Sequence, residues 1–155
     1  MKLIAHRGNQ FGKNPELENE PNYVDSAIFA QYDAEIDLWF IDGEPFLGHD
    51  SPQYKISYDW LVYRCEFLWI HCKNREALHY LNSQKNPREF NHFWHEHDDY
   101  TMTSKGYVWA YPGKLPAGPS CICVMPELHY PLEAISDMKT YGVCSDFVAD
   151  IKKHK

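Results

Sequence analysis

The sequence has little positive charge and no long hydrophobic run. Its 155 residues carry 15 lysines and arginines against 22 aspartates and glutamates, so the net charge is −7 with the histidines neutral. A nucleic-acid surface needs a basic stripe to neutralise phosphates, so we expect no nucleic-acid partner. No stretch approaches the ~20 apolar residues that span a bilayer, and the first residues lack the apolar core of a secretory signal. We therefore predict a cytoplasmic protein without a membrane span.

Cysteines are few, and linkers and internal repeats are lacking. The five cysteines form an odd set, and the spacing of Cys121 and Cys123 is that of neither a redox motif nor a zinc site. We predict reduced, mostly buried thiols, as is usual in the cytosol. Because no linker divides the chain, we predict a single domain over residues 1–155.

Short apolar runs that are typical of strands alternate with helical segments. Most of these runs are continuously apolar, as in strands covered on both faces of a parallel sheet. Helices are predicted from Asn22, over Arg75 to Leu81 behind an Asn74 cap, and after Pro131. The seven predicted strands are Leu3 to Ala5, Ala34 to Phe40, Phe67 to Ile70, Phe93 with Trp94, Tyr107 to Trp109, Cys121 to Met125, and Val143 with Cys144.

Nearly every predicted strand ends in polar residues that are capable of chemistry. In a β/α barrel the carboxyl ends of the strands converge on one face, where catalysis takes place. We therefore predict an α/β fold, a compact or truncated TIM-type β/α barrel with roughly seven to eight strands, because a full barrel takes about 250 residues. Ordinary polar loops would give the same pattern without a barrel. The polar residues are His6, Arg7, Glu35, Asp37, His71, Lys73, His95, Glu96, Glu127 and Asp146.

Five short motifs follow one another in the first fifty residues. They are H-R-G at 6–8, E-N at 18–19, E-x-D at 35–37, D-G at 42–43 and H-D at 49–50. Their order and spacing resemble the signature of the glycerophosphodiester phosphodiesterase family. Further along, residues 69–73 resemble the family's E-x-K strand with His71 at the acidic position, and residues 142–147 resemble its final strand. The resemblance implies a metal-dependent phosphodiesterase that hydrolyses a glycerophosphodiester or similar small phosphodiester by histidine acid/base catalysis.

The residues themselves suit this chemistry. Glu35 and Asp37 are two apart on a strand and so point to one face, where two carboxylates favour Mg²⁺ or Ca²⁺; solvated acids on an edge strand are the alternative. His6 and His49 titrate near neutrality and can exchange protons, although their sequence does not assign acid and base. Arg7 offers a forked donor to a phosphate oxygen and completes the predicted catalytic set.

The resemblance also implies further metal and substrate contacts. Glu18 corresponds to the family's loop glutamate near the metal, and His71 takes the place of an acidic ligand, which leaves room for Mn²⁺ or Zn²⁺. Alternatively Glu127, Glu96 or Asp98 supplies the missing carboxylate. The predicted substrate-binding residues are Arg7, Lys73, His95, Glu127 and Trp109, with Tyr111 as a further pocket residue.

Two other functions fit the same motifs. One is a phospholipase-type enzyme of the same barrel group, which forms a cyclic phosphate. The other is a noncatalytic protein that binds a phosphorylated ligand, for which the short chain and His71 argue. A truncated barrel would also leave an apolar edge, which a homodimer could cover.

Overall fold

The computed structural model describes residues 1–84, 89–114 and 118–155. Over these ranges the chain forms ten strands and five α-helices, with a 3-10 turn at His6–Gly8. The strands are β1 Lys2–Ala5, β2 Asp33–Ile41, β3 Glu44–Leu47, β4 Tyr54–Lys55, β5 Leu68–Cys72, β6 Asn91–Phe93, β7 Tyr100–Met102, β8 Val108–Ala110, β9 Gly118–Val124 and β10 Thr140–Ser145. The helices are α1 Pro21–Phe29, α2 Tyr58–Val62, α3 Arg75–Asn82, α4 Leu132–Ile135 and α5 Val148–Lys153.

All ten strands join one mixed sheet with a parallel centre. Seven strands pair in parallel in the order β6-β5-β2-β1-β10-β9-β8, while β3 and β4 continue antiparallel from β2, and β7 pairs antiparallel with β8. The sheet is curled: the ring centroids of Phe93 on β6 and Trp109 on β8 lie 4.6 Å apart. The fold is therefore a mixed α/β architecture with a curled sheet, which is compatible with a truncated barrel.

The two faces of the curled sheet have different partners. The outer face packs against the helices through residues such as Ile36 and Ile70 in one cluster and Val143 in another. The inner face holds a smaller cluster of its own, made of Ile4, Trp69, Phe93, Trp109, Ile122, Val124 and Cys144. These inner side chains fill the space inside the curl on the side of the amino ends of the strands. Residues nearer the carboxyl ends line the space that remains.

All seven predicted strands are present in the parallel centre of the sheet. The helix expected from Asn22 begins instead at Pro21, because the Glu20 carboxylate caps it by accepting the Tyr23 N–H at 2.7 Å. Asn74 caps α3 as predicted and accepts the Ala77 N–H at 3.1 Å. The β3–β4 hairpin, β7, α2 and α5 were not predicted, because elements of two to six residues carry little periodicity. Among the described helices, none has the length and apolarity needed to cross a bilayer.

Candidate active site

A cavity of about 780 Å³ lies at the carboxyl edge of the parallel strands. It gathers most of the residues that the sequence singled out, although these come from positions up to 140 residues apart. Its lining comprises His6, Arg7, Lys13, Glu35, His49, His71, Lys73, His95, Glu96, His97, Trp109, Tyr111, Pro112, Val124, Met125 and Asp146.

The period of a β-strand explains this convergence. Side chains two positions apart point to the same face, so each buried inner residue is followed two positions later by a residue that faces the cavity. Ile4, Trp69, Phe93, Trp109 and Cys144 are thus followed by His6, His71, His95, Tyr111 and Asp146. Parallel pairing then places residues of neighbouring strands at the same level along the strand direction, because Ala5 is in register with Ser145, and Asp37 with His71.

The cavity has two chemically different walls. The polar wall is formed by His6, Arg7, Glu35, His71, Lys73 and Asp146, which belong to or follow β1, β2, β5 and β10, together with Asp37 of β2, which is buried behind Arg7, His71 and Lys73. The ring wall is formed by His95, Trp109 and Tyr111, which follow or belong to β6 and β8.

Three side chains of the polar wall form a cluster suited to a cation. One ligand atom from each of Glu35, Asp37 and His71 lies within 4.8 Å of the other two, and all three residues are buried. His71 Nδ1 lies 3.1 Å from Asp37 Oδ1. Two carboxylate oxygens and one imidazole nitrogen form a donor set that Mn²⁺ and Zn²⁺ accept readily and that Mg²⁺ and Ca²⁺ accept less well. The residues therefore fit a divalent metal ion.

Asp37 is surrounded by positive and donor groups. Arg7 Nε lies 3.1 Å and Lys73 Nζ 3.6 Å from its carboxylate, and the Asn19 side-chain amide donates to Oδ2 at 2.9 Å. Burial alone would raise the pKa of Asp37, but the hydrogen bond and charge of His71, with Arg7 and Lys73, hold it well below its usual range. Asp37 is therefore ionised throughout the neutral range.

Glu35 experiences the opposite effect. Burial and the nearby Asp37 charge raise the pKa of Glu35, against the smaller influence of His6, Arg7 and His71. Its carboxylate accepts the backbone N–H of Arg7 at 3.1 Å. Arg7 adopts a left-handed backbone conformation with φ of 52°, which costs a residue with a side chain roughly 1–2 kcal/mol. Such strain, held in place at a cluster of charged groups, is typical of functional sites.

Glu18 does not join the cation cluster. Its carboxylate accepts hydrogen bonds from Arg7 Nη1 at 2.9 Å and from the Asn9 amide at 3.1 Å. It lines an adjoining cavity of about 290 Å³, which shares Arg7, Lys13 and His49 with the larger one. The predicted fourth metal ligand therefore lies where it orients the Arg7 guanidinium instead.

His6 is held by Asp146, a strand-end acid that was predicted to lie on the same face but was given no catalytic, metal or substrate role. Its Nδ1 lies 2.8 Å from Asp146 Oδ1, and the Asn9 amide donates to the same oxygen at 2.8 Å. Burial would lower the pKa of His6, but the Asp146 hydrogen bond and the Glu35 charge outweigh it and raise the pKa above 6.5. Asn9 was not predicted, although it directly follows the H-R-G motif at 6–8.

His49 reaches the cavity from the loop after β3 and is partly open to solvent. Its side chain is 39% exposed, and Nδ1 lies 2.7 Å from the exposed Asp50 carboxylate. Burial, together with the charges of Arg7 and Lys73, lowers the pKa of His49, although Asp37 acts in the opposite direction. The pKa values of His6 and His49 are therefore shifted in opposite directions.

The ring wall is built from stacked side chains. The His95 ring stacks on His71 with centroids 4.3 Å apart, and the Tyr111 ring lies 4.1 Å from that of His95. Burial and the charges of His71 and Lys73 lower the pKa of His95 to about 4, so its imidazole is neutral at pH 7. Trp109 lines the cavity as predicted, although it is 98% buried by its neighbours in the inner cluster.

Glu127 lies behind the polar wall and does not line the cavity. Its Oε1 accepts the backbone N–H of Asp146 at 2.9 Å, and burial raises the pKa of its carboxyl group. The structure therefore places this predicted substrate contact where it supports Asp146.

Comparison of the chain with protein-family models, with curated proteins and with solved structures found no match. The residues of the cavity are therefore the basis for any assignment of function.

Proposed function

We propose that the protein is a metal-dependent phosphodiesterase of the glycerophosphodiester phosphodiesterase type, with a truncated β/α barrel as its scaffold. One observation carries the proposal. Two histidines with oppositely shifted pKa values, a carboxylate–imidazole cluster and two cations lie around one cavity. Phosphodiester cleavage needs these parts: proton transfer at both the attacking and the leaving oxygen, and positive charge at the phosphoryl oxygens.

His49 and His6 divide the proton transfers in this proposal. His49 has a lowered pKa and a partly exposed side chain. It is neutral and accepts the proton of the attacking water. The water oxygen bonds to phosphorus while the bond from phosphorus to the leaving oxygen breaks. His6, with a raised pKa, is the protonated partner and gives its proton to the leaving alkoxide. Neighbouring groups with opposite pKa shifts are the usual basis for such an assignment.

The charged residues hold the phosphodiester. Arg7 and Lys73 lie within 4 Å of Asp37, so both cations sit at the mouth of the cluster and can pair with a phosphate oxygen. Glu35, Asp37 and His71 would hold the divalent ion. When bound, that ion neutralises charge on the phosphoryl oxygens and acts as a Lewis acid.

Turnover of two phosphodiesters tests this function. Purified protein should cleave bis(p-nitrophenyl) phosphate and glycerophosphocholine, lose activity in EDTA and regain it with Mn²⁺, Zn²⁺ or Mg²⁺. His6→Ala and His49→Ala should each lower kcat by roughly 10²–10⁴-fold, while His154→Ala, an exposed histidine near the C-terminus, should match the wild type. Wild-type rates in either cavity variant would overturn the assignment. Phosphorus NMR of the products distinguishes water attack from a phospholipase-type cyclic phosphate.

A further inference from the structure

His49 is the more exposed of the two histidines to which the proposed reaction assigns a proton transfer. Its side chain is 39% exposed, whereas that of His6 is 13% exposed. The His49 ring bonds the Asp50 carboxylate, which is itself 94% exposed and moves with the same loop. Side-chain packing therefore fixes His49 less firmly than His6, and the position of its ring depends on the backbone that carries it.

The backbone immediately before His49 is held by both polar groups of Gly48. The Gly48 N–H donates to the Asp37 carbonyl oxygen at 3.1 Å, which continues the pairing of β2 with β3. The Gly48 carbonyl oxygen accepts the indole N–H of Trp39 at 2.6 Å. His49 therefore follows a residue that is bonded to β2 through its donor and through its acceptor.

Position 48 has room for glycine alone. Its backbone φ is 151°, in a region that residues with a side chain rarely adopt. A Cβ added here would overlap the carbonyl oxygen of Ser51, because the loop turns back on itself. The Gln53 N–H closes this turn by donating to the Leu47 carbonyl oxygen at 2.9 Å. A larger residue at position 48 would therefore displace the loop and His49 with it.

The indole that holds Gly48 comes from the same face of β2 as two residues of the cation cluster. Glu35, Asp37 and Trp39 are spaced two apart on this strand, so their side chains point to one side of the sheet. Glu35 and Asp37 belong to the cation cluster, and Trp39 lies one step nearer the carboxyl end. Its bond to the Gly48 carbonyl oxygen therefore ties His49 to the strand that carries the cluster.

We propose that Trp39 and Gly48 are positioning residues, which hold His49 at a fixed place relative to the cation cluster through the backbone of its loop. Neither residue lines the cavity, so both act through His49. The catalytic consequence rests on the proposed function. A general base must lie within hydrogen-bond reach of the proton that it removes, and a displacement of about 1 Å can lower the rate roughly 10²-fold.

Turnover of bis(p-nitrophenyl) phosphate by two pairs of variants tests the positioning role. Gly48→Ala should lower kcat about 10²-fold, and Trp39→Phe, which removes only the indole donor, about tenfold, both with KM unchanged. The matched controls should keep the wild-type kcat. They are Gly43→Ala, where φ is 83° but an added Cβ meets nothing within 4 Å, and Trp60→Phe on α2. Wild-type kcat in Gly48→Ala and Trp39→Phe, or an effect on KM alone, would overturn the positioning role.

NMR relaxation separates this inference from the proposed function, because it needs no turnover. The order parameter of the His49 backbone N–H should be about 0.85 in the wild type and in Gly43→Ala, and below about 0.6 in Gly48→Ala, with Trp39→Phe between them. This result in a protein that cleaves no phosphodiester would support the restraint on His49 although the catalytic proposal had failed. A wild-type value below about 0.6, or one value in all variants, would overturn the restraint in an active or an inactive protein.

Discussion

The two walls of the cavity are built by the same strand geometry but differ in how their polar groups are paired. In the polar wall, Asp37 contacts Arg7, His71, Lys73 and Asn19. Among the described residues, the buried atoms that make no hydrogen bond include Tyr111 Oη and His95 Nδ1 of the ring wall and Arg7 Nε of the polar wall, although Arg7 Nε is ion-paired with Asp37 at 3.1 Å. A dense network of pairs fixes side chains before any ligand arrives, whereas unpaired groups are stabilised only by a ligand. In the free protein the polar wall is therefore held together by more charge pairs than the ring wall.

The largest expected effect comes from neutralising the centre of the polar wall. Asp37→Asn leaves Arg7, His71 and Lys73 without their shared counter-charge. Removing one partner of a buried ion pair costs about 3–5 kcal/mol, so urea unfolding at pH 7 should show a loss of that order. Because the pKa of Asp37 is lowered in the folded protein, its stabilising contribution is present above the pKa of an unfolded aspartate and declines as the pH falls. The difference in the free energy of unfolding between Asp37→Asn and the wild type should therefore become smaller as the pH falls.

The control for this change is Asp50→Asn, which alters a carboxylate that is 94% exposed. It should leave the free energy of unfolding unchanged within error. Equal stability of Asp37→Asn and the wild type would show that the polar wall is not held together by its charges.

Asp146→Asn should have the next largest effect, on catalysis rather than on stability. The Asp146 carboxylate orients His6 and raises its pKa, and losing such an orienting partner costs roughly 10–100-fold in activity. If His6 acts in its protonated form, activity is lost as the pH rises through its pKa. The variant lowers that pKa, so the alkaline limb of the kcat profile should move to lower pH.

The variant Asp150→Asn on α5 is the matched control for this experiment, because its carboxylate pairs with Lys153 on the same helix and lies outside the lining of the cavity. It should keep the wild-type pH profile. A fall in kcat for Asp146→Asn with no movement of the alkaline limb would contradict the role of His6 as the acid.

His71→Glu tests what sets the metal preference of the polar wall. A third carboxylate in place of the imidazole makes the donor set harder and more negative, so calorimetry should show the affinity for Ca²⁺ rising relative to that for Mn²⁺ by about tenfold. His71→Gln, which removes the nitrogen donor without adding charge, should weaken both ions. An unchanged ratio in His71→Glu would place the metal away from His71.

The difference between the walls also explains how much the sequence predicted. All seven parallel strands and most of the polar wall follow from apolar runs and from motifs such as H-R-G and E-x-D, because the order and spacing of these motifs distinguish them from ordinary polar loops. Asp146 was predicted only as a strand-end acid and Glu127 was assigned to the substrate, since only register and depth distinguish two acids at neighbouring strand ends. His95, Trp109 and Tyr111 were predicted to line a pocket, and they line the cavity, but the stacking of their rings was not predicted, because sequence spacing does not show which rings meet across a sheet.

Tyr111→Phe should have the smallest effect on stability. The sign of the change in the free energy of unfolding shows whether a ring-wall hydroxyl is paired in the free protein. The Tyr111 hydroxyl is buried and makes no hydrogen bond to residues 1–84, 89–114 or 118–155, so removing it should leave the free energy of unfolding unchanged or raise it by up to about 1 kcal/mol. Tyr23→Phe is the matched comparison, because the Tyr23 hydroxyl donates to Asn9 Oδ1 at 3.2 Å, and its loss should cost about 1 kcal/mol. A loss of stability in Tyr111→Phe equal to that in Tyr23→Phe would mean that the Tyr111 hydroxyl is already satisfied in the free protein. The ring wall would then be preorganised like the polar wall.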